Sequence, residues 1–288
     1  MIKHLTRKEL DVQKYDNCIS KAVNTRIYAC SWYLDIVCDD WDVLINDDYK
    51  MVMPLPKRNK YGVNYIYQVP WIQQLGVFSD KTVDEPVIHQ FIKSIPKKFK
   101  LIDTFLNSNN KFSSKYLKVM NNYILPLNLS FDNIKDQFNK NRKRVSKINF
   151  NNFRLDRKGD VSEFLSLYKK QSIHFKTHKD SFEKLARLLN VKNGHINIWN
   201  VYNDDNLVAG LCWLKGSNRI TYLLPISTDE AKKENIPTFI LNQLIKEYEN
   251  TNYILDFEGS IIEGVAQFYK SFGAVNEEYY WFKKKNFI

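Results

Sequence analysis

The sequence of 288 residues predicts an α/β protein built from two tandem units of one topology. Two β-rich stretches, residues 41–56 and 196–214, each contain two strands around the same Asn-Asp-Asp turn triplet. A further strand, an amphipathic helix and a last strand follow each hairpin in the same order. The length is enough for two domains that each bury a core. Repetition of the element order, with little sequence identity between the halves, therefore predicts the fold class.

The elements of the two halves correspond one by one. In the first half the third strand, helix and fourth strand are predicted at 62–70, 84–96 and 100–107, and in the second half at 219–227, 235–250 and 252–260. Pro237 stands in the first turn of the second helix, where its missing N–H costs nothing. From this order we predict two domains, 1–128 and 129–288.

A segment of helices is predicted to open the second half. Ser130 is placed as the N-cap of a helix over 131–148, and two more helices are predicted at 161–175 and 180–190. The apolar stripe of the first helix consists of Phe131, Ile134, Phe138, Val145 and Ile148. Its outer face carries a block of basic residues.

The bulk composition predicts a globular protein of the cytoplasm. Hydrophobic residues make up 44% and aromatic residues 14% of the chain. The N-terminal stretch is charged and has no apolar core of a signal peptide, and no apolar run is long enough to span a membrane. The four cysteines show no CxxC pairing and are expected to be reduced thiols. We therefore expect no membrane partner.

The formal net charge of +11 is concentrated in one part of the chain. Residues 132–158 hold nine Lys and Arg against three Asp. Such a block favours an anionic partner, such as a phosphate group, a nucleotide or a nucleic acid. The alternative is an ordinary solvated helix face. Both interpretations are open on the sequence alone.

Motif searches exclude several common enzyme classes. The chain has no GxSxG elbow, no Walker-type phosphate loop and no GxGxxG fingerprint. His174 and His178 have the spacing of a metal half-site on a helix, but no HExxH glutamate accompanies them, and we predict no metal. Trp71 and Gln73 follow a strand and a proline, where an aromatic ring and an amide could line a pocket. A tryptophan that packs in the core is the alternative for Trp71.

The stretch LDFEGS, residues 255–260, poses the sharpest question of the sequence. Asp256 and Glu258 are two residues apart, so in a continuous strand their side chains share one face. Two carboxylates at a strand end are either a catalytic pair or simply the place where the strand reaches water. The helix that follows carries Tyr269 and Lys270.

The segment VAQFYKSFGA, residues 265–274, resembles the A-x-x-Φ-Y-x-K-x-G-F segment of the GNAT acyltransferase superfamily. Together with LDFEGSIIEGVAQF it is similar to the closing motif of the Fem-type peptidyltransferases, which consist of two tandem GNAT-like domains. NKNRKRVSKINFNNFRL, residues 139–155, resembles the basic helix that opens their second domain. The resemblance implies an α/β fold of two tandem GNAT-like mixed-sheet domains.

The resemblance also implies a chemistry, which is the transfer of an acyl group to an amine. Tyr269 matches the tyrosine that protonates the leaving group, and Glu258 or Asp256 is the expected base. Donor-binding candidates are Lys270, Arg142, Lys143, Arg144, Tyr222, Trp71 and Gln73. The expected donor is acyl-CoA, for example acetyl-CoA, or an aminoacyl-tRNA, and the acceptor is a small-molecule or peptide amine.

Two departures from the family pattern keep a second hypothesis open. GNAT enzymes that use acyl-CoA grip its pyrophosphate with a glycine-containing loop, whereas residues 227–239, STDEAKKENIPTF, contain no glycine. Glu258 stands where the Fem-type motif has glycine, and Tyr269 stands where it commonly has lysine. The alternative is a non-catalytic GNAT-like scaffold that binds RNA or a protein partner.

Overall fold

The computed structural model describes residues 1–171, 179–259 and 262–286. These residues form two compact units. Unit 1 comprises Met1–Asn121 together with Glu277–Ile288, and unit 2 comprises Asn122–Asn276. The predicted domains, 1–128 and 129–288, follow chain order alone and stay a prediction.

Unit 1 begins with a strand that pairs with the predicted hairpin. Its elements are β1 (Ile2–Thr6), α1 (Val12–Lys21), a short 3₁₀ helix (Ile27–Ala29), α2 (Ser31–Val37), β2 (Asp40–Asn46), β3 (Met51–Lys60), β4 (Val63–Ile66), β5 (Phe78–Ser79), α3 (Glu85–Ser94) and β6 (Phe99–Leu106). Asp84 caps α3 by accepting a hydrogen bond from the Val87 N–H.

Unit 2 contains the segment of helices and the second hairpin. Strand β7 (Leu117–Pro126) leads into it, and its elements are α4 (Phe131–Lys135), α5 (Lys140–Val145), β8 (Phe153–Asp156), α6 (Val161–Gln171), α7 (Lys179–Leu189), β9 (Ile196–Asn203), β10 (Asn206–Lys215), β11 (Arg219–Ser227), α8 (Asp229–Lys233), α9 (Ile236–Tyr248), β12 (Ile254–Asp256) and α10 (Glu263–Lys270). The last strand of the chain is β13 (Val275–Lys285).

The two units have the same strand order. In unit 1 the order is β1-β2-β3-β4-β6-β13, with β5 on β3, and in unit 2 it is β8-β9-β10-β11-β12-β7. Every pair reported for these two orders is antiparallel except β4–β6 in unit 1 and β11–β12 in unit 2, which are parallel and stand at the same place in the order. The prediction of an α/β fold with two mixed-sheet units of one topology is confirmed.

The sixth strand of each unit comes from a distant part of the chain. β13 follows unit 2 in sequence, yet it pairs with β6, and its Tyr280 and Phe282 lie in the core of unit 1 with Phe91 and Phe99. In unit 2 the corresponding strand is β7, which pairs with β12. The hydrophobic core of unit 2 is centred on residues such as Trp199, Trp213 and Leu241.

Two local predictions are wrong. The helix predicted over 131–148 is two short helices, because Asn139 begins a new one by accepting a hydrogen bond from the Arg142 N–H at 2.8 Å. As a result Ile148 is exposed, whereas the other four residues of the predicted stripe are buried. The strand predicted at 252–260 ends at Asp256, since Glu258 has a left-handed backbone with φ of 54°.

Candidate functional site

A pocket of about 490 Å³ lies in unit 2 where two parallel strands part. β11 and β12 pair only from Arg219 with Ile254 to Thr221 with Asp256, whereas β11 continues to Ser227. The edge of β11 beyond Thr221 thus has no strand partner on that side among the described residues. The lining residues are Arg142, Tyr168, Gln171, Tyr222, Pro225, Ile226, Ser227, Lys232, Asn235, Pro237, Thr238, Gly264, Val265, Phe268 and Tyr269. This volume suits a small-molecule site.

Asp256 fixes the point at which the strands part. Its side chain is 1% exposed, and Oδ2 lies 2.7 Å from Nη1 of the buried Arg219 on the neighbouring strand. Oδ1 accepts hydrogen bonds from Asn122 Nδ2 at 2.9 Å and from the Glu258 N–H at 3.0 Å. Asp256 does not line the pocket. The carboxylate therefore holds the last paired residues and the turn that follows them.

Glu258 lies on the far side of this turn. Its left-handed backbone takes it out of the strand, so the two carboxylates do not share one strand face as the spacing had predicted. It is half-buried and does not line the pocket. Its charge nevertheless acts on the site, because it helps to raise the pKa of the Tyr269 hydroxyl.

Tyr269 is brought into the pocket by α10. Ala266 and Tyr269, three residues apart, form the buried face of this helix. The Tyr269 ring is 7% exposed and stacks on Phe257 with 4.7 Å between ring centroids. Burial, and after it the charge of Glu258, raises the pKa of its hydroxyl far above the ordinary value. A phenol is already neutral at pH 7 at its ordinary pKa, and this shift keeps it in the protonated form.

Tyr222 presents a second phenol to the same pocket. Its ring meets Tyr269 edge to face, with 6.1 Å between centroids, and burial raises its pKa as well. Within the described part of the chain, neither the Tyr222 nor the Tyr269 hydroxyl has a hydrogen-bond partner. Two neutral phenols are thus available to a ligand in the pocket.

Arg142 lines the same pocket with a side chain that is almost fully buried. It is 8% exposed, and its guanidinium lies over Phe268 and Phe272, with Cζ 4.8 Å and 5.0 Å from the ring centroids. Nε donates to Ser271 Oγ at 3.1 Å and Nη1 donates to Thr238 Oγ1. Burial lowers its pKa. No carboxylate among the described residues pairs with it.

The other predicted cations do not share the position of Arg142. Lys143 is half-buried, and Arg144 is exposed and donates to Asn141 Oδ1 at 3.1 Å. Lys270 is exposed, with Nζ 5.4 Å from the centroid of the Tyr123 ring. None of these three lines the pocket. Arg142 is thus separated from its basic neighbours by the direction in which each side chain leaves α5.

Most of the pocket residues were not predicted from the sequence, and Lys232 and Thr238 are two of them. Lys232 lies on α8, in the stretch that was interpreted as a connection, and its Nζ lies 2.8 Å from Asp229 Oδ1. Thr238 is in the first turn of α9 and accepts from Arg142. The signal for α8 was present, because Thr228 is an N-cap residue that accepts from the Ala231 N–H.

Trp71 and Gln73 belong to unit 1 and do not line this pocket. Trp71 has a left-handed backbone, with φ of 69°, and its carbonyl accepts from the Tyr33 hydroxyl at 2.5 Å. Gln73 Oε1 accepts from Gln74 Nε2 at 2.7 Å. Both are in the segment between β4 and β5.

Residues 1–171, 179–259 and 262–286 contain no group of three or more His, Cys, Asp and Glu side chains arranged to hold a metal ion. His174 and His178, the predicted metal half-site, lie outside the described residues. In the same part of the chain, no helix combines the length and the apolar character needed to cross a bilayer.

Known structures share this architecture over nearly the whole chain. The crystal structure of FemX aligns with a TM-score of 0.67 at 12% identity, covering 97% of this chain and 97% of FemX. A tandem GNAT protein from the clavulanic acid biosynthesis pathway aligns with a TM-score of 0.56 at 7% identity, covering 100% of this chain and 99% of that one. The protein has a tandem GNAT-like fold.

A third structure agrees with this assignment of the GNAT-like fold. The C-terminal domain of a putative lysylphosphatidylglycerol synthetase from Agrobacterium fabrum aligns with a TM-score of 0.57 at 10% identity, covering 94% of this chain and 91% of that one. No protein-family model matches the sequence, and no curated protein matches it. At such identities the likeness concerns the fold, so the chemistry of this GNAT-like protein has to be argued from its own pocket residues.

Proposed function

We propose that the protein is an N-acyltransferase whose reaction takes place in the pocket of unit 2. The observation that carries this proposal is the position of Tyr269, a protonated phenol beside a second phenol, Tyr222, at the parting of β11 and β12. A phenol held neutral in a largely apolar pocket is a proton donor placed where substrate can reach it. The tandem GNAT-like fold supports the same reaction class.

The reaction has three requirements, and residues of unit 2 can meet them. The amine nitrogen attacks the carbonyl carbon of a thioester or ester, and N–H groups on the open edge of β11 would stabilise the oxyanion that forms. The bond from carbon to sulfur or oxygen then breaks, and Tyr269 gives its proton to the leaving atom. Before the attack, Glu258, acting through water, takes one proton from the ammonium. The nitrogen loses its second proton as the amide forms, and that proton restores the Tyr269 phenol. The products are an amide and a thiol or alcohol.

The roles proposed for the two carboxylates therefore differ. Glu258 is the base, since its charge is close enough to influence the Tyr269 hydroxyl. Asp256 is a positioning residue, because all of its described contacts hold the protein itself together. Both acyl-CoA and aminoacyl-tRNA are kept as donors. The connection before α9 has no glycine and begins α8 with Asp229 and Glu230, which weakens the case for a pyrophosphate there.

That connection also supports the second candidate, a non-catalytic scaffold that binds RNA or a protein partner. A pocket without a donor site would keep the GNAT-like fold and lose turnover. The two candidates make opposite predictions for Tyr269, because a scaffold has no use for its hydroxyl.

The test compares the wild-type protein with Tyr269→Phe. Acetyl-CoA is supplied with a mixture of small amines and amino acids, and CoA release is followed. A second arm supplies aminoacylated bulk tRNA and follows loss of the aminoacyl group. In the arm that is active, Tyr269→Phe should lower kcat by roughly 10²–10⁴-fold, the usual contribution of general acid catalysis, with little change in KM.

The matched control is Tyr248→Phe, a half-buried tyrosine of unit 2 that does not line the pocket. It should leave kcat unchanged. Both variants keep their rings, so their unfolding midpoints should stay close to that of the wild type. Full turnover by Tyr269→Phe would refute the acid role, and tRNA binding without turnover in either arm would favour the scaffold.

A further inference from the structure

The charges that line the pocket of unit 2 are unbalanced. Two lining side chains are cationic, Arg142 and Lys232, and none of the described lining residues is a carboxylate. Lys232 has Asp229 beside it at the exposed rim. Among the described residues, no carboxylate is paired with Arg142. The described lining of the pocket therefore contains a buried cation without a paired anion.

Arg142 is also held rigidly. Of its five N–H donors, the described structure assigns one from Nε and one from Nη1, both to neutral hydroxyl oxygens. The rings of Phe268 and Phe272 lie against the guanidinium. A buried guanidinium usually has a carboxylate partner, because desolvation of an unpaired charge is costly. Among the described residues Arg142 has no carboxylate partner, and its side chain lines the pocket.

The same Phe268 ring connects this charge to the acid. Phe268 touches the Arg142 guanidinium, and its centroid is 6.0 Å from that of the Tyr269 ring. The guanidinium and the phenol ring thus both lie next to Phe268, and both side chains line the same pocket. The pyrophosphate of acyl-CoA is separated from its thioester by the long pantetheine arm, which does not suit two groups that are near neighbours.

We infer that the pocket takes a substrate with a compact anionic group, a carboxylate or a phosphate monoester, which binds Arg142 while the reacting group lies at Tyr269. The inference rests on the proposed function for the place of the reacting group, but the anion site itself does not require turnover. Lys232 at the rim adds a second, mobile cation. Arg142 then determines specificity, because a neutral analogue leaves its charge buried and unpaired.

The experiment measures anion binding by the full-length protein with small aromatic probes that suit an apolar pocket. Benzoate, its neutral analogue benzamide, and phenyl phosphate are titrated at constant ionic strength, and the unfolding midpoint is followed, since a ligand stabilises the fold according to its concentration over Kd. Tighter binding of benzoate indicates a carboxylate substrate, and tighter binding of phenyl phosphate indicates a phosphate monoester.

The variants are Arg142→Met and Arg142→Lys, with Arg144→Gln as the matched control on the same helix. Arg142→Met should weaken the binding of the anion by about 10- to 100-fold, the range of a lost charge-assisted hydrogen bond. Arg142→Lys keeps the positive charge but not the planar guanidinium with its paired N–H donors. Its affinity for the anion should fall less than that of Arg142→Met. Arg144→Gln should bind as the wild type does.

The inference is overturned if neither anion stabilises the wild-type protein more than benzamide does, or if Arg142→Met and Arg142→Lys bind the anions as tightly as the wild type. Tyr269→Phe separates this result from the proposed function. That variant should still bind the anion even though it loses turnover. If Tyr269→Phe binds the anion and also keeps full turnover, the acid role of Tyr269 is refuted, whereas the proposed anion site is still supported.

Discussion

Units 1 and 2 repeat one strand order, but they differ at the point where their two parallel strands separate. In unit 1, β4 and β6 pair up to Ile66 and Ile102, and the following segment returns so that Leu75 forms a bridge with Leu106. The Leu75 N–H donates to Phe105 O at 2.9 Å, and Leu75 O accepts from the Asn107 N–H at 2.8 Å. In unit 2 no described segment fills the corresponding place, and the pocket lies there.

The difference shows that the shared strand order alone does not determine whether a pocket forms where the parallel strands part. An open strand edge leaves N–H and C=O groups to be satisfied, and unit 1 satisfies them with its own backbone. Buried amides complete the closure, since Asn110 Oδ1 accepts from the Val77 N–H at 2.6 Å. In unit 2 the edge of β11 beyond Thr221 has no strand partner on that side among the described residues, and phenols and a guanidinium line the pocket there. The two units therefore differ in whether the chain's own backbone covers a strand edge at the parting.

The largest expected change in the free energy of unfolding comes from removal of the buried ion pair between Arg219 and Asp256, beside the pocket of unit 2. Asp256→Ala removes the carboxylate that forms an ion pair with the buried Arg219, so the free energy of unfolding should fall by about 3–5 kcal/mol. Urea unfolding measures this loss. Asp132→Asn, which removes an exposed pairing with Lys135, is the control and should change the midpoint little. A small effect of Asp256→Ala would mean that the strands part without help from this ion pair.

The next effect comes from the closure of unit 1. Gly76 has φ of 110°, and a Cβ atom there would collide with Oδ1 of Asn110. Gly76→Ala should cost about 2–4 kcal/mol from backbone strain and overpacking. Gly62→Ala, where φ is 78° and no atom lies within 4 Å of the added Cβ, should cost only about 1–2 kcal/mol. Equal losses in the two variants would argue against a tightly packed closing segment.

The smallest expected effect is a change in the pKa of Tyr269 in the pocket of unit 2. Glu258→Gln removes a charge that raises the pKa of Tyr269, so that pKa should fall, although burial keeps it above its usual value. A raised folded-state pKa gives stability that is present below the unfolded pKa, about 10, and is lost as the pH rises through the folded value. This alkaline loss should be smaller in Glu258→Gln.

The pKa is followed by NMR of ring-labelled tyrosine, with Tyr269→Phe to assign the signal. Glu230→Gln, on the exposed α8, is the control and should leave the titration of Tyr269 unchanged. If the titration of Tyr269 is unchanged in Glu258→Gln, Glu258 is not close to the Tyr269 hydroxyl. The proposal that Glu258 is the base would then be wrong.

Local patterns in the sequence predicted the parts of the fold that depend on near neighbours. The hairpins around the Asn-Asp-Asp triplets and helix α9 appear where periodicity placed them. The motif resemblance on α10 singled out Tyr269, which lines the pocket, and its catalytic role stays a prediction. The pairing of β13 with β6 could not be predicted in this way, because it depends on residues far apart in the chain.

The predictions that failed at the site did so for equally local physical reasons. The same-face rule for Asp256 and Glu258 assumes extended backbone, and Glu258 is left-handed. The basic block was treated as one surface, whereas the new helix start at Asn139 lets α5 bury Arg142 and expose Arg144. A count of charges in the sequence could not distinguish the buried Arg142 from cations such as Arg144 that are exposed to solvent.

The position of β13 has a consequence for the order in which the chain can fold. Residues Glu277–Lys285 belong to unit 1, yet they are synthesised after all of unit 2. On the ribosome, unit 1 must therefore wait with the β6 edge uncovered, and with the places of Tyr280 and Phe282 in its core unfilled, until unit 2 has been made. An uncovered strand edge is prone to pair with other chains. The unit synthesised first therefore lacks one of its strands until the rest of the chain has been made.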